Sequence, residues 1–241
     1  MRIILLLIAA VLPAALLWLY IWKKDPQKEP TRLLVKAVWY GIGIVVPVGI
    51  LEAGLQYLLF GERQPTSLFG TTLMAFGVAA LPEELSKLFC LWLILRRNPY
   101  FDEHFDGIVY AVSIGLGFAA IENIGYLIEG GDQWVMTAVI RALLAVPGHY
   151  AYAVLMGYYY SIYHFVDRSP RTKISILLVP FLAHGVYDSL AMSGMANETI
   201  GGIGFLFLIY FCVKLHKFTY RKMMAQVRRS REEINPENLT T

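Results

Sequence analysis

The sequence predicts an all-α, polytopic membrane protein of about seven transmembrane helices, and three observations carry that prediction. Of the 241 residues, 57% are hydrophobic and only 16% are charged, far from the balance of a soluble domain. The apolar residues fall in long runs, and a hydrocarbon core of about 30 Å takes roughly 20 such residues per helix. Lys and Arg collect in alternate connectors, the asymmetry that orients spans in a bilayer. The formal net charge of +3 sits in short loops and the C-terminal tail, so it sets orientation and argues for no nucleic-acid partner.

Spans are expected near 3–22, 33–60, 71–95, 107–128, 134–165, 174–192 and 200–218. Arg2 before the first apolar run raises the possibility of a signal peptide. That run outlasts an ordinary signal core, no A-x-A site follows, and "KKDPQK" comes next, so a retained helix is expected. The second span carries Glu52. The third contains "FGVAALPEELSKLFCLWLIL", with Glu83, Glu84 and Lys87 near its middle. In the fourth, Gly115 and Gly117 allow close helix approach, and "IENIGY" brings Glu122 and Asn123 to membrane depth. The fifth is long enough to tilt, or to kink at Pro147, and carries Arg141 and His149. The sixth carries His184 and Asp188 after Pro180. Beyond the seventh, "RRSREEINPENLTT" has no apolar periodicity and reads as solvated or disordered. Residues 1–218 therefore form one transmembrane domain and 219–241 a basic, disordered cytoplasmic tail. Cys90 and Cys212 lie in apolar runs as small core residues, and no internal repeat is visible.

Orientation follows from the connectors. Basic residues cluster after the first span (Lys23, Lys24, Lys28, Arg32, Lys36), the third (Arg96, Arg97), the fifth (Arg168, Arg171, Lys173) and the seventh. The connectors between carry almost none, which puts the N-terminus outside and the C-terminus in the cytoplasm.

A charged side chain at the bilayer centre costs about 2.5–3.5 kcal/mol on insertion scales, yet four successive spans bring ionisable groups to one band of depth. His184 and Asp188 are four apart and share a helix face, and Lys87 lies three and four residues from the two glutamates, within reach of either. Prolines precede three of these sites: Pro82, Pro147 and Pro180. Each frees a carbonyl and bends its helix, which membranes tolerate where backbone faces protein or a wet cavity. The expectation is a polar pocket enclosed by spans three to six. Lys87 reads as a structural counter-ion, and Glu52 and Arg141 as interhelical hydrogen-bond partners, Arg141 with a site carboxylate within range. His104, His164 and His216 read as surface or interfacial, and "GYYYSIYHF" as an aromatic belt.

Two imidazoles with a carboxylate are a common ligand set for catalytic zinc, and a further glutamate beside the bound water would be a general base for hydrolysis. No H-E-x-x-H, GxSxG or GxGD motif is present, and neither Cys90 nor Ser86 is framed as a nucleophile. A different class, a proton-coupled transporter, would also place Glu, His and Lys at depth. Such carriers often show inverted repeats, and none is found.

The blocks "PEELSK", "FDGIVYAVSIGLGFAAIENIGY", "PGHYAYAVLMGYYY" and "HGVYD" resemble, in order, the four motif blocks of the PrsW family of bacterial intramembrane proteases, relatives of the CAAX-protease and bacteriocin-processing enzymes. The resemblance covers about residues 80–190. It implies a multi-pass peptidase of the bacterial cytoplasmic membrane, surrounded by lipid, that makes the site-1 cut in a single-span membrane protein such as an anti-sigma factor. By motif, the paired glutamates are Glu83 and Glu84, the fourth-span glutamate is Glu122, and the histidines are His149 and His184. Asp188 stands where CAAX-protease relatives often carry Asn, so an orienting or ligand role is expected of it. The working mechanism has water activated by Glu84, with Glu83 held by Lys87 or assisting, the choice between the two being close to even. His149 and His184, with Glu122 or Asp188, hold zinc or polarise the carbonyl directly. A metal-free glutamate mechanism, as described for CAAX relatives, stays open.

Overall fold

The computed structural model describes residues 2–234, which are helical almost throughout, with no strand among them. Helix α1 spans Arg2–Lys24 and α2 spans Thr31–Phe60. The short α3 (Leu68–Leu73) runs through a π-helical stretch, Met74–Ala80, into α4 (Leu81–Leu95). After a loop comes α5 (Asp106–Glu129). A single turn then leads to α6 (Trp134–Ile140), which continues through a second π-helical stretch, Arg141–Ala145, into α7 (Val146–Phe165). The chain closes with α8 (Pro170–Ala191) and α9 (Glu198–Ile234). Among the described residues, six helical stretches are long and apolar enough to cross a membrane. At the place of the third expected span stands the bent stretch α3–α4, which carries Glu83, Glu84 and Lys87. The protein is an all-α, multi-pass membrane protein. Its outer surface agrees: Ile50, Leu58, Phe69 and Leu206 are all more than two-thirds exposed, a cost in water and none in hydrocarbon.

Both π-helical stretches end one residue short of a proline. The N–H of Leu81, next to Pro82, bonds to the carbonyl of Phe76, and that of Val146, next to Pro147, bonds to Arg141. Each is an i→i−5 bond. Proline has no N–H to give and its ring pushes on the preceding turn, so the turn widens to make room. Such π turns inside α-helices gather at functional sites.

Helix α5 is the axis of the bundle. Residues 106–120 are buried without interruption, and α1, α2, α4 and α7 pack around them. Backbones touch at two small-residue crossings: a Cβ on Gly117 would overlap the Val38 carbonyl of α2, and one on Gly157 of α7 would overlap the carbonyl of Gly107. With few large side chains between them, these helices gain dispersion contact that a bilayer cannot supply by hydrophobic exclusion.

The two ends of α5 locate the chain termini. Arg2 hydrogen-bonds to the Gly131 carbonyl just beyond the end of α5. At the other end the Phe105 N–H donates to Ser230 Oγ, 3.0 Å away near the end of α9. A 24-residue helix is about 36 Å long, so the first and last described residues lie at opposite ends of the bundle.

The segment after residue 218 departs from the expected solvated tail. Helix α9 continues to Ile234, burying Met223, Gln226, Val227 and Ser230. Tyr150 Oη donates to Met223 Sδ, and Glu233 pairs with His104 at 2.7 Å. One apolar or small residue every three to four positions is enough to dock a charged helix. Residues 235–241 lie outside the described residues.

Candidate active site

Glu83 and Glu84 open α4 directly after the first π turn, and His149 lies two residues beyond Pro147 after the second. A π turn and a proline thus precede the inward-facing ionisable groups of both helices. Glu122 comes from α5, while His184 and Asp188 come from one face of α8. Glu83, Glu84, Lys87, His149 and His184 are all buried. Glu122 and Asp188 keep side-chain exposures of 19% and 15%. The structure brings all six expected site residues into one network.

Lys87 is its hub. Its ammonium donates to Glu83 Oε2 and Glu84 Oε1, each at 2.8 Å, and lies 3.3 Å from His149 Nδ1. It also sits 4.4 Å from the centroid of the Phe118 ring, a cation–π contact. The counter-ion expected from spacing alone therefore bridges both carboxylates at once. Two anions with one cation still leave a net negative charge, and among the described residues Glu84 Oε2 is buried without a partner.

The histidines are arranged alike. His149 Nε2 lies 2.7 Å from Glu122 Oε2, and His184 Nε2 lies 3.2 Å from Asp188 Oδ2. Their Nδ1 atoms turn inward, His149 toward Lys87 and His184 toward Glu84 Oε1 at 3.0 Å. A carboxylate behind an imidazole fixes its tautomer and ring orientation. Glu122 is itself held by Arg141 at 2.8 Å, and Arg141 also donates to Asn123 Oδ1. Asn123 donates to the Ala10 carbonyl at 3.1 Å, so the chain of bonds runs out to α1.

A cleft of about 630 Å³ opens onto this network, lined by Glu83, Glu122, His149, His184 and Asp188 among others. Glu84 and Lys87 lie behind that lining, and Glu84 is wholly inaccessible. Among the described residues Glu83 Oε1 has no hydrogen-bond partner, and it is not sealed from the cleft. The two glutamates, adjacent in sequence, occupy unlike places.

The donor set also bears on metal. Glu83, Glu84 and His184 each offer a ligand atom within 4.8 Å of the others. One imidazole and two carboxylates form a set that zinc accepts, and the orphaned Glu84 oxygen is a position such an ion would satisfy. Of the four residues expected as ligands, His184 alone belongs to this group. Glu122, Asp188 and His149 are engaged in the carboxylate–imidazole pairs.

Several participants were not assigned to the site from sequence. Tyr152 stacks on the His184 ring with centroids 4.7 Å apart, and its place three residues after His149 was the available signal. Glu52 lines the cleft and has one buried, unpartnered oxygen. Outside the site, His104, expected to be surface or interfacial, is buried and pairs with Glu233.

Comparisons with known proteins identify the family. The sequence model described as PrsW family intramembrane metalloprotease matches residues 29–215. The chain is 37% identical over 190 residues to Protease PrsW of Geobacillus kaustophilus, covering 78% of this chain and 80% of that one. It is 34% identical to Protease PrsW of Bacillus subtilis over 223 residues, 91% of this chain and 97% of the relative. Against Protease PrsW of Oceanobacillus iheyensis it is 34% identical over 206 residues, 85% and 91% of the two chains. No solved structure matches. Four ionisable helices around one cleft, with a family match across most of the chain, lead to one conclusion: this protein belongs to the PrsW family and is an intramembrane protease acting on membrane proteins.

Proposed function

We propose that the protein hydrolyses one peptide bond of a single-span membrane protein in the bacterial cytoplasmic membrane, by water activated at Glu83. The observation that carries this reading is the asymmetry of the paired glutamates. Glu83 lines the cleft beside both histidines, whereas Glu84 is sealed behind it, bonded to Lys87 and His184. A general base must reach the proton it takes, and between these two carboxylates Glu83 has the access. This reverses the working order expected from sequence.

In the proposed step Glu83 takes a proton from water as the water oxygen attacks the scissile carbonyl carbon. The carbon–nitrogen bond then breaks, and the proton passes to the leaving amine. His184, held by Asp188 and stacked on Tyr152, and His149, held by Glu122, line the cleft where the oxyanion and the leaving group would form. Lys87 supplies the positive charge that lets two carboxylates share a dry site. Glu83, Glu84 and His184 could alternatively hold a zinc ion, which would supply Lewis acidity to water and carbonyl, and Glu83 would then serve as a ligand in place of the base. The family resemblance suggests an anti-sigma factor as substrate and site-1 cleavage as the event. Basic connectors support an N-terminus outside and a cytoplasmic C-terminus.

The test is co-expression with single-span candidates, comparing wild type with Glu83→Gln, Glu84→Gln and His184→Ala. Cleavage is expected to disappear in Glu83→Gln while that protein stays folded. Persistence of cleavage in all three variants would overturn the mechanism. Persistence in Glu83→Gln alone would return the base to Glu84. Activity unaffected by strong chelators would remove zinc and leave the glutamate chemistry standing.

A further inference from the structure

A second group of buried carboxylates lies away from the cleft, at the end of the bundle that carries the basic loops. Asp25 follows α1, Glu29 precedes α2, Glu103 lies in the loop before α5, and Asp106 is the first residue of α5. All four are at most 5% exposed. Asp25, Glu103 and Asp106 each present an oxygen within 4.8 Å of the others. Asp106 lies 16 positions before Glu122, about 24 Å along the helix axis.

Proximity alone would not make a site. The second observation is what these oxygens lack. Among the described residues, both oxygens of Asp25, both of Glu103 and Asp106 Oδ1 are buried with no hydrogen-bond partner. Buried polar atoms almost always find a donor, and a buried charge left unpaired is far costlier than a neutral group. A cation is at hand but faces elsewhere: Lys28 Nζ donates to the backbone carbonyls of Trp22 and of Asp25, the latter at 2.8 Å. The other neighbours do not cancel the charge. Asp106 Oδ2 accepts from the N–H groups of Asp102 and Glu103, and Glu29 accepts from Tyr110 Oη. Burial and mutual repulsion push the Glu103 carboxyl up to about 8, and burial pushes that of Asp25 up to about 6.

We propose that Asp25, Glu103 and Asp106, with Glu29 adjoining, bind a hard divalent cation, Mg²⁺ or Ca²⁺, that clamps the α1–α2 turn to the loop leading into α5. The donors are oxygen only, the set that hard cations prefer and that disfavours softer metals. The ion joins two chain segments whose carboxylates otherwise repel one another. It holds the start of the helix whose far half carries Glu122. This site is separate from the cleft and does not depend on the proteolytic reading.

The experiment uses the full chain purified in detergent and stripped of metal, with thermal unfolding followed as Mg²⁺ or Ca²⁺ is added. A ligand that binds only the folded state raises the midpoint, by roughly 5–10 °C at about a hundredfold excess over its dissociation constant for a chain of this size. The rise is expected in wild type and equally in His184→Ala, which disables the other candidate centre. It is expected to vanish in Asp25→Asn and Glu103→Gln. Absence of a rise in wild type, or an undiminished rise in those two variants, overturns the proposal. Should the two variants fail to fold, Mn²⁺ binding by electron paramagnetic resonance decides. Retention of bound Mn²⁺ in His184→Ala supports the site, and its loss there, or absence of binding in wild type, overturns it. Wild type without response while both variants gain stability in chelator identifies a proton-sharing cluster and equally overturns it.

Discussion

At the scale of single residues, Lys87 decides whether two carboxylates can exist inside this bundle. It reaches Glu83 and Glu84 at 2.8 Å each, and removing one partner of a buried ion pair costs about 3–5 kcal/mol because the other charge is left uncompensated. Lys87→Met should therefore sharply reduce the yield of monodisperse protein in size-exclusion chromatography. Lys87→Met combined with Glu84→Gln should recover part of it, because one of the stranded charges is gone. Equal yields for the single and double variants would show that Lys87 does not act as the counter-ion. This pairing was legible in the sequence, since spacings of three and four on a helix bring side chains together. Which glutamate faces the cleft was not legible. The answer depends on the phase of α4 relative to its neighbours, and the π turn before Pro82 shifts that phase.

At the scale of elements, the two π turns set the direction of the site residues. Each widened turn accommodates one more residue than an α turn, so closing it rotates one side of the helix against the other by about 100°. Arg141 starts the second π stretch and holds Glu122, whose other partner is His149 on α7. Pro147→Ala restores a donor and lets this stretch close toward α-helix. The expected outcome is a drop in cleavage rate of up to about 10²-fold, the scale of a misplacement near 1 Å, with the unfolding midpoint changed by only a few degrees. An unchanged rate would show that the π turn is incidental to the site. The sequence announced the kinks through Pro82, Pro147 and Pro180 but not their form: Pro82 and Pro147 sit after π turns, while Pro180 lies within α8. The docked end of α9 was also missed. A sparse apolar pattern among many Arg and Lys residues looks solvated until the surface it covers is known.

At the scale of the whole molecule, α5 determines the layout. Buried nearly all round, it leaves α1, α2, α4 and α7 to form the wall and puts the described ends of the chain at opposite ends of the bundle. Combined with the basic connectors, this predicts that a reporter fused after Thr241 reads cytoplasmic and one fused before Arg2 reads external. Two reporters on the same side would contradict both the connector charges and the bundle.

By itself the sequence determined that the chain is a membrane-embedded, all-helical protein and which ionisable residues lie within its apolar runs. It did so because hydrocarbon punishes every exposed charge and every unpaired backbone group, so the permitted positions show in composition and spacing. Only the tertiary structure decided which glutamate meets the cleft, and that Glu122 and Asp188 stand behind the histidines. It alone brought Asp25 of the α1–α2 turn to Glu103 and Asp106 at the start of α5 in one buried cluster. Those outcomes depend on rotations about helix axes and on contacts between segments distant in sequence. A linear pattern constrains such rotations only until a proline-widened turn resets them.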